Sequence, residues 1–171
     1  MIDARRKIGL VERFYRALVD SIRVTRAFSA TSRGEYREAL AILDKLGRHA
    51  ATFYEVYLIR GAIYTSLGMH DAAMPPLLDG ARAVRADGRL SKAEVDYLIA
   101  YAIQYWQYSA DQSGVRIVPQ DVVDTLTLDS PINVDVIPDR LRRNFPLNVD
   151  LADIETRPWA RWAQPIQDAS S

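Results

Sequence analysis

The sequence predicts a mainly α-helical protein of stacked antiparallel helical hairpins, followed by an irregular, partly extended C-terminal arm packed on the helices. Three observations predict this fold. Apolar residues recur at spacings of three and four through the first 110 residues, glycines and capping residues divide that region into helices, and the spacing is lost after about residue 115. We expect a single domain over 1–171, with a helical body over 1–110 and the arm over 115–171.

The amino-acid composition argues against several classes of function. The 171-residue chain contains no cysteine, so it has no disulfide, no thiolate nucleophile and no cysteine zinc site. Lys plus Arg and Asp plus Glu both number 22, which argues against nucleic-acid binding through bulk charge. The sequence shows no secretion signal and no apolar run long enough to cross a bilayer. We therefore expect a cytoplasmic protein that does not engage a membrane.

The first two helices are predicted from periodicity. Residues 4–32 contain one glycine and no proline, and their apolar residues form a helical stripe. The members of this stripe are Ile8, Val11, Phe14, Tyr15, Leu18 and Ile22. Residues 35–46 predict a second helix, with Gly47 as a left-handed stop.

Two capping boxes predict the next helix starts. The sequences "TFYE" at 52–55 and "SKAE" at 91–94 each place a hydroxyl three residues before a glutamate. They predict helices over about 53–67, ended by Gly68, and over about 92–108.

The segment between these helices, "HDAAMPPLLDGARAVR", predicts one more helix but contains two consecutive prolines. Asp71 is a candidate N-cap, which would put Pro75 inside the helix without an amide hydrogen. Pro76 also disfavours helical geometry at the residue before it. We therefore expect the helix to begin late, near Pro75, or to have an irregular first turn.

Several small and apolar residues repeat at a spacing of 34. The pairs are Gly34 and Gly68, Ala39 and Ala73, Leu43 and Leu77, and Ala27 and Gly61. Together with Tyr57 and Tyr64, these positions make residues about 20–87 resemble two tetratricopeptide repeats, and the helix over 92–108 could begin a third. The chain departs from that family's pattern at Arg60, Gly80 and Arg85. The expected fold is therefore a fragment of a tetratricopeptide-like α-solenoid, in which Leu77 packs where the helices cross closely at Gly61.

The resemblance implies a partner-binding groove lined by the first helix of each unit. The matching positions are Val24, Thr25, Phe28, Leu58, Ile59, Ala62 and Thr65. They are apolar or hydroxylic. The Lys and Asn side chains with which some family members hold a chaperone's C-terminal carboxylate are absent from them. The groove could instead be filled by the protein's own C-terminal arm.

The C-terminal region changes character. Residues 118–128 predict a short helix with Pro119 in its first turn, and "IPDRLRRNF" predicts one or two helical turns. "PINVDV" at 131–136 and "PLNVDL" at 146–151 alternate apolar and polar residues, which predicts two extended stretches, with a small antiparallel sheet as the weaker alternative.

Helix 92–108 carries a tyrosine stripe beside its apolar stripe. The stripe consists of Tyr97, Tyr101, Tyr105 and Tyr108. A helix this apolar must be covered on two sides. Either the C-terminal segment covers the tyrosines, with Trp159 as a candidate contact, or they form an aromatic surface for a partner or a homodimer.

Arg140, Arg142 and Arg143 form a basic cluster that is either a solvated face or a contact for an acidic partner. His49 and His70 lack a second ligand at helical spacing, so we expect neither a metal site nor a cofactor. No catalytic motif is recognisable, which makes an enzyme the less favoured class.

These observations favour a non-catalytic protein that binds another protein or peptide. A dedicated small partner protein would suit its size, either an immunity protein that neutralises a toxin or a chaperone for assembly or secretion. The alternative is a small enzyme or ligand-binding domain with a pocket between the helical body and the arm. A pocket that gathers Arg140 or Arg143 with several tyrosines would favour this alternative.

Overall fold

The computed structural model describes the backbone of residues 2–148 and the side chains of residues 15–148. That part of the chain is mainly helical and contains no β-strand. Its α-helices are α1 (Ile2–Ser32), α2 (Tyr36–Leu43), α3 (Tyr54–Ser66), α4 (His70–Ala86), α5 (Lys92–Gln112), α6 (Gln120–Thr125) and α7 (Asp139–Asn144), and 3₁₀ turns lie at Ala50–Thr52 and Val134–Val136. None of these helices is long and apolar enough to span a membrane.

Glycines in the left-handed region end three helices. Gly34, Gly68 and Gly114 have φ values of 76°, 72° and 69° and follow α1, α3 and α5. After each glycine, the next amide donates to a carbonyl five residues earlier at 2.9 Å, which is the Schellman pattern. The role predicted for Gly68 is confirmed, and Gly34, 34 residues earlier, ends its helix in the same way.

The expected left-handed stop at Gly47 is wrong. Helix α2 already ends at Leu43, and Gly47 does not have a positive φ. Its amide donates to the Asp20 carboxylate of α1 at 3.3 Å, and an added Cβ would lie 2.9 Å from Asp20 Oδ2. Gly47 therefore allows a close approach between the turn and α1.

Of the two predicted capping boxes, one forms. Ser91 accepts from the Glu94 amide at 3.3 Å, and the Glu94 carboxylate accepts from the Ser91 amide at 2.8 Å. The box predicted at Thr52 is absent because the Thr52 hydroxyl donates to the His49 carbonyl at 2.7 Å and Phe53 becomes the N-cap.

The prediction that the helix containing Pro75 and Pro76 begins late is also wrong. Helix α4 begins at His70, and Pro75 and Pro76 lie inside it. The prolines leave the carbonyls of Asp71 and Ala72 without their helical donors, but both residues are exposed, so water can bind these carbonyls. The Schellman turn at Gly68 and the buried Ala73 fix the start of the helix.

Two glycines allow α3 and α4 to interlock. An added Cβ on Gly61 would lie 2.3 Å from Leu77 Cγ, and one on Gly80 would lie 2.7 Å from Leu58 Cδ2. Each helix thus inserts a leucine against a glycine of the other, and both leucines are fully buried. The expected packing of Leu77 on Gly61 is confirmed, and the departure at Gly80 is explained by its contact with Leu58.

The core lies on both sides of α3. One cluster joins α3, α4 and α5 with residues 115–148, which we call the C-terminal segment. A smaller cluster joins α3 to α1 and α2. The C-terminal segment adds Leu126, Leu128, Ile137, Leu141 and Phe145 to the larger cluster. Arg85 of α4 donates to the Thr125 carbonyl at 2.9 Å, which fixes the end of α6.

The segment predicted to be extended is partly helical. Residues 131–136 end in a 3₁₀ turn, where Asn133 accepts from the Asp135 amide at 3.1 Å. The helical turns predicted for "IPDRLRRNF" are confirmed as α7. The end of the second stretch, and Trp159, lie outside the described residues.

Asp96 is a buried carboxylate on α5. It is 3% exposed and accepts from the Asp129 amide at 3.3 Å. Burial raises the pKa of Asp96, and the nearby Asp129 carboxylate raises it further. Because the pKa is higher in the folded protein, this group favours folding at acid pH, and the contribution is lost as the pH rises through that pKa.

We therefore expect Asp96→Asn to raise the urea midpoint at pH 7, because an amide oxygen can still accept from Asp129 without carrying a charge. The gain over wild type should shrink as the pH falls below the folded pKa of Asp96. The exposed Asp135→Asn serves as the control and should show no such trend. Destabilisation at pH 7 by Asp96→Asn would contradict this account.

Candidate functional site: a cleft between α1 and α7

Phe145 anchors the C-terminal segment on the helical body. It is fully buried, and its ring lies edge-on to Phe28 of α1 and Tyr101 of α5, both at 5.1 Å between centroids. The Tyr54 ring of α3 lies 6.4 Å away. One side chain therefore joins α1, α3 and α5 at the point where the segment crosses them.

Polar contacts fix the backbone on either side of this anchor. The Tyr97 hydroxyl donates to the Phe145 carbonyl at 2.8 Å. The Gln104 amide group donates to the Pro146 carbonyl at 3.1 Å and accepts from the Asn148 amide at 2.9 Å. Helix α5 thus holds residues 145–148 in place, and α7, immediately before them, is held opposite α1.

A cleft of ≈ 860 Å³ lies between α1 and α7. We call it the α1–α7 cleft. One wall is α1, with Ser21, Val24, Thr25 and Phe28, and the opposite wall is α7, with Arg140, Arg143 and Asn144. Further lining comes from Tyr36, Phe53, Glu55, Ile59, Tyr101, Tyr105 and Pro146. The volume is in the range of small-molecule and short-peptide sites.

The structure divides the groove residues predicted from the family resemblance. Val24, Thr25, Phe28 and Ile59 line the α1–α7 cleft. The other three, Leu58, Ala62 and Thr65, lie in the core and line no open groove. Helices α4 and α5 cover them: Leu58 packs on Gly80, and the Thr65 and Ser109 hydroxyls are hydrogen-bonded at 2.8 Å.

The predicted aromatic surface is likewise divided. Tyr97 and Tyr101 are each 3% exposed and are covered by the segment around Phe145, so they do not form an exposed partner surface. Tyr105 is half-buried and lines the cleft, whereas Tyr108 is 53% exposed and contacts the His70 ring of α4. The alternative expectation, that the C-terminal segment covers the tyrosines, agrees with the positions of Tyr97 and Tyr101.

The three arginines of the basic cluster have different surroundings. Arg142 pairs with Asp139 within α7 and is not part of the cleft lining. Arg140 and Arg143 line the cleft, and neither forms an ion pair with a carboxylate of residues 15–148. Among the described residues of the lining, Glu55 is the one carboxylate. The described cleft therefore carries two cations and one anion, which favours an occupant with an acidic group.

The phenols of the cleft are suited to packing and hydrogen bonding. Burial raises the pKa of Tyr101 well above its ordinary value, and it also raises the pKa of Tyr105. Both groups therefore stay neutral at physiological pH and can donate hydrogen bonds, but neither serves as a base.

Sequence reasoning missed Phe145, Gln104 and Glu55. Phe145 carries no local signal, because its partners come from helices far away along the chain. In the described side chains, no three His, Asp or Glu residues are grouped as a metal site would require.

Comparisons with protein-family models, with curated proteins and with solved structures found no match for this chain.

Proposed function

We propose that this protein is a non-catalytic, tetratricopeptide-like binding module that holds a segment of another protein in the α1–α7 cleft. The observation that carries the proposal is the convergence of Val24, Thr25 and Phe28 with Arg140 and Arg143 on one cleft. The first three are the positions that line the groove in the family the sequence resembles. The matching turns at Gly34 and Gly68 support the same interpretation.

The lining indicates the chemistry of the bound segment. Phe28 and Tyr105 offer aromatic surface for an apolar side chain, and the hydroxyls of Ser21 and Thr25 lie on the α1 wall. On the α7 wall, Arg140 and Arg143 would bind a carboxylate, because a guanidinium group can donate hydrogen bonds to both carboxylate oxygens. The expected occupant is a short segment with an apolar residue near an aspartate or glutamate. A toxin or a subunit under assembly could present such a segment.

The alternative proposal is a small acidic ligand in the same cleft. It is favoured by the gathering of Arg140 and Arg143 with Tyr101 and Tyr105, and by a volume that suits a small molecule. Native mass spectrometry of the protein isolated from its own cells would distinguish the two. A retained metabolite that leaves when Arg143 is replaced by glutamate would favour the small ligand.

Peptide selection tests the favoured proposal. We expect peptides selected from a random display library against the wild-type protein to be enriched in Asp or Glu beside an apolar residue. Arg143→Glu should weaken their binding roughly tenfold, about 1.4 kcal/mol, because it reverses one of the two cleft cations. Binding should also weaken with added salt, since the arginines are exposed.

Arg116→Glu is the matched control, because Arg116 is also exposed but lies outside the cleft. It should leave the affinity unchanged. Failure to select any peptide, or equal losses in the two variants, would contradict binding in the cleft.

A further inference from the structure

The first helix carries a second apolar surface, which we call the outer stripe. It consists of Tyr15, Leu18 and Ile22, which are 65%, 50% and 46% exposed. Helix α1 has 31 residues. Its C-terminal part packs on the body, where Asp20 binds the Gly47 amide and Ala27 and Ala30 are fully buried.

The outer stripe faces away from the body. At about 100° of rotation per residue, its three members lie between about 120° and 180° around the helix axis from the buried Ala27. They do not line the α1–α7 cleft, so the proposed segment binding in that cleft does not account for them. Exposed apolar residues that follow one side of a helix indicate a surface that another element covers.

The spacing of the stripe matches the seam of a coiled coil. Tyr15, Leu18 and Ile22 occupy positions a, d and a of a heptad. In the sequence, the same numbering places Ile8 at the preceding a and Val11 at the preceding d. It then places the polar Thr25 and Ser29 at the next d and a, so the apolar spacing ends where α1 joins the body. In the sequence, Phe14 at g and Val19 at e are also apolar, which widens the predicted seam on both sides.

The charges in the sequence indicate which partner fits. Across positions 7–21, the flanking e and g positions contain two charged residues, Lys7 at g and Glu12 at the following e. In a parallel pair of identical helices, position g of one chain lies beside the next e of the other, so opposite charges at these two positions favour self-association. We propose that two copies of this chain associate in parallel through the outer stripe of α1.

Leu18→Glu tests this proposal. The wild-type protein should show a dimer that dissociates on dilution in light scattering, and Leu18→Glu should be monomeric at every concentration, because it places a charge in the apolar seam. The variant should keep its helical circular dichroism and the melting temperature of wild type diluted to the monomer, since Leu18 is half exposed. Ile117→Glu, at a residue that is 83% exposed outside α1, should still dimerise.

Single cysteines test the orientation, because the chain has none of its own. In a parallel pair the two copies of residue 22 face each other, so Ile22→Cys should give a disulfide-linked dimer on mild oxidation, and Ile117→Cys should not. A monomeric wild type, a dimer that Leu18→Glu leaves intact, or an Ile22→Cys protein that does not cross-link would overturn the proposal. Binding of monomeric wild type, but not of Leu18→Glu, to vesicles of phosphatidylcholine and phosphatidylserine would overturn it in favour of a membrane surface.

Discussion

Phe145→Ala is expected to destabilise the protein by about 3–5 kcal/mol, the usual cost of removing a buried phenylalanine from a packed core. For a chain of this size, the melting temperature should fall by roughly 6–20 °C. The physical reason is that Phe145 is fully buried between Phe28, Tyr54 and Tyr101, so its loss leaves a cavity where three helices meet. Thermal and urea unfolding would measure the loss.

The same substitution should also release the segment that covers Tyr97 and Tyr101. We expect increased binding of a hydrophobic dye below the melting temperature, because the Tyr97 hydrogen bond to the Phe145 carbonyl depends on the position of the segment. Phe145→Leu should lose less stability, because it keeps most of the apolar volume. Ile117→Ala, at an exposed residue, should have almost no effect. A Phe145→Ala protein as stable as wild type would contradict the assigned role of this side chain.

Gly61→Ala is expected to be the second most disruptive substitution, with a loss of roughly 2 kcal/mol in the free energy of unfolding. Alanine is the better helix former by about 1 kcal/mol, so propensity alone predicts stabilisation. However, the new Cβ would lie 2.3 Å from Leu77 Cγ and 3.3 Å from the Ala73 carbonyl oxygen. Leu77 is fully buried and cannot move aside without displacing the helices.

Gly88→Ala is the matched control, because an added Cβ there meets nothing within 4 Å. It should be neutral or slightly stabilising. In a double-mutant cycle, Leu77→Ala should cost less in the Gly61→Ala background than in wild type, because the smaller side chain removes the clash. If Gly61→Ala is as stable as Gly88→Ala, the close crossing of α3 and α4 is not present in solution.

Local signals in the sequence were sufficient for much of the helical fold. Gly68 and the Ser91–Glu94 capping box act within a few residues of their own position, and both were predicted correctly. The failures at Gly47 and Pro75 have a different origin. Gly47 binds Asp20 from a distant part of α1, and α4 is held through Pro75 by its packing on α3, so tertiary contacts outweigh the local preferences.

Less of the candidate site could be predicted from the sequence. The family resemblance placed Val24, Thr25 and Phe28 on one surface, and the basic cluster contained Arg140 and Arg143, but no local pattern indicated that these two groups face each other. Their juxtaposition depends on Phe145, which fixes the end of α7 against α1 through contacts distant in sequence. A single sequence contains no signal for a contact of that kind.

Binding of an acidic segment in the α1–α7 cleft can be followed residue by residue by NMR titration of the ¹⁵N-labelled protein with a selected acidic peptide. We expect saturable shift changes in the amides of Val24, Thr25, Arg143 and Asn144, and in the Arg143 side chain, while Arg116 and Ile117 stay unchanged. A peptide that binds but shifts residues outside the cleft, leaving those of α1 and α7 unmoved, would contradict binding in the cleft.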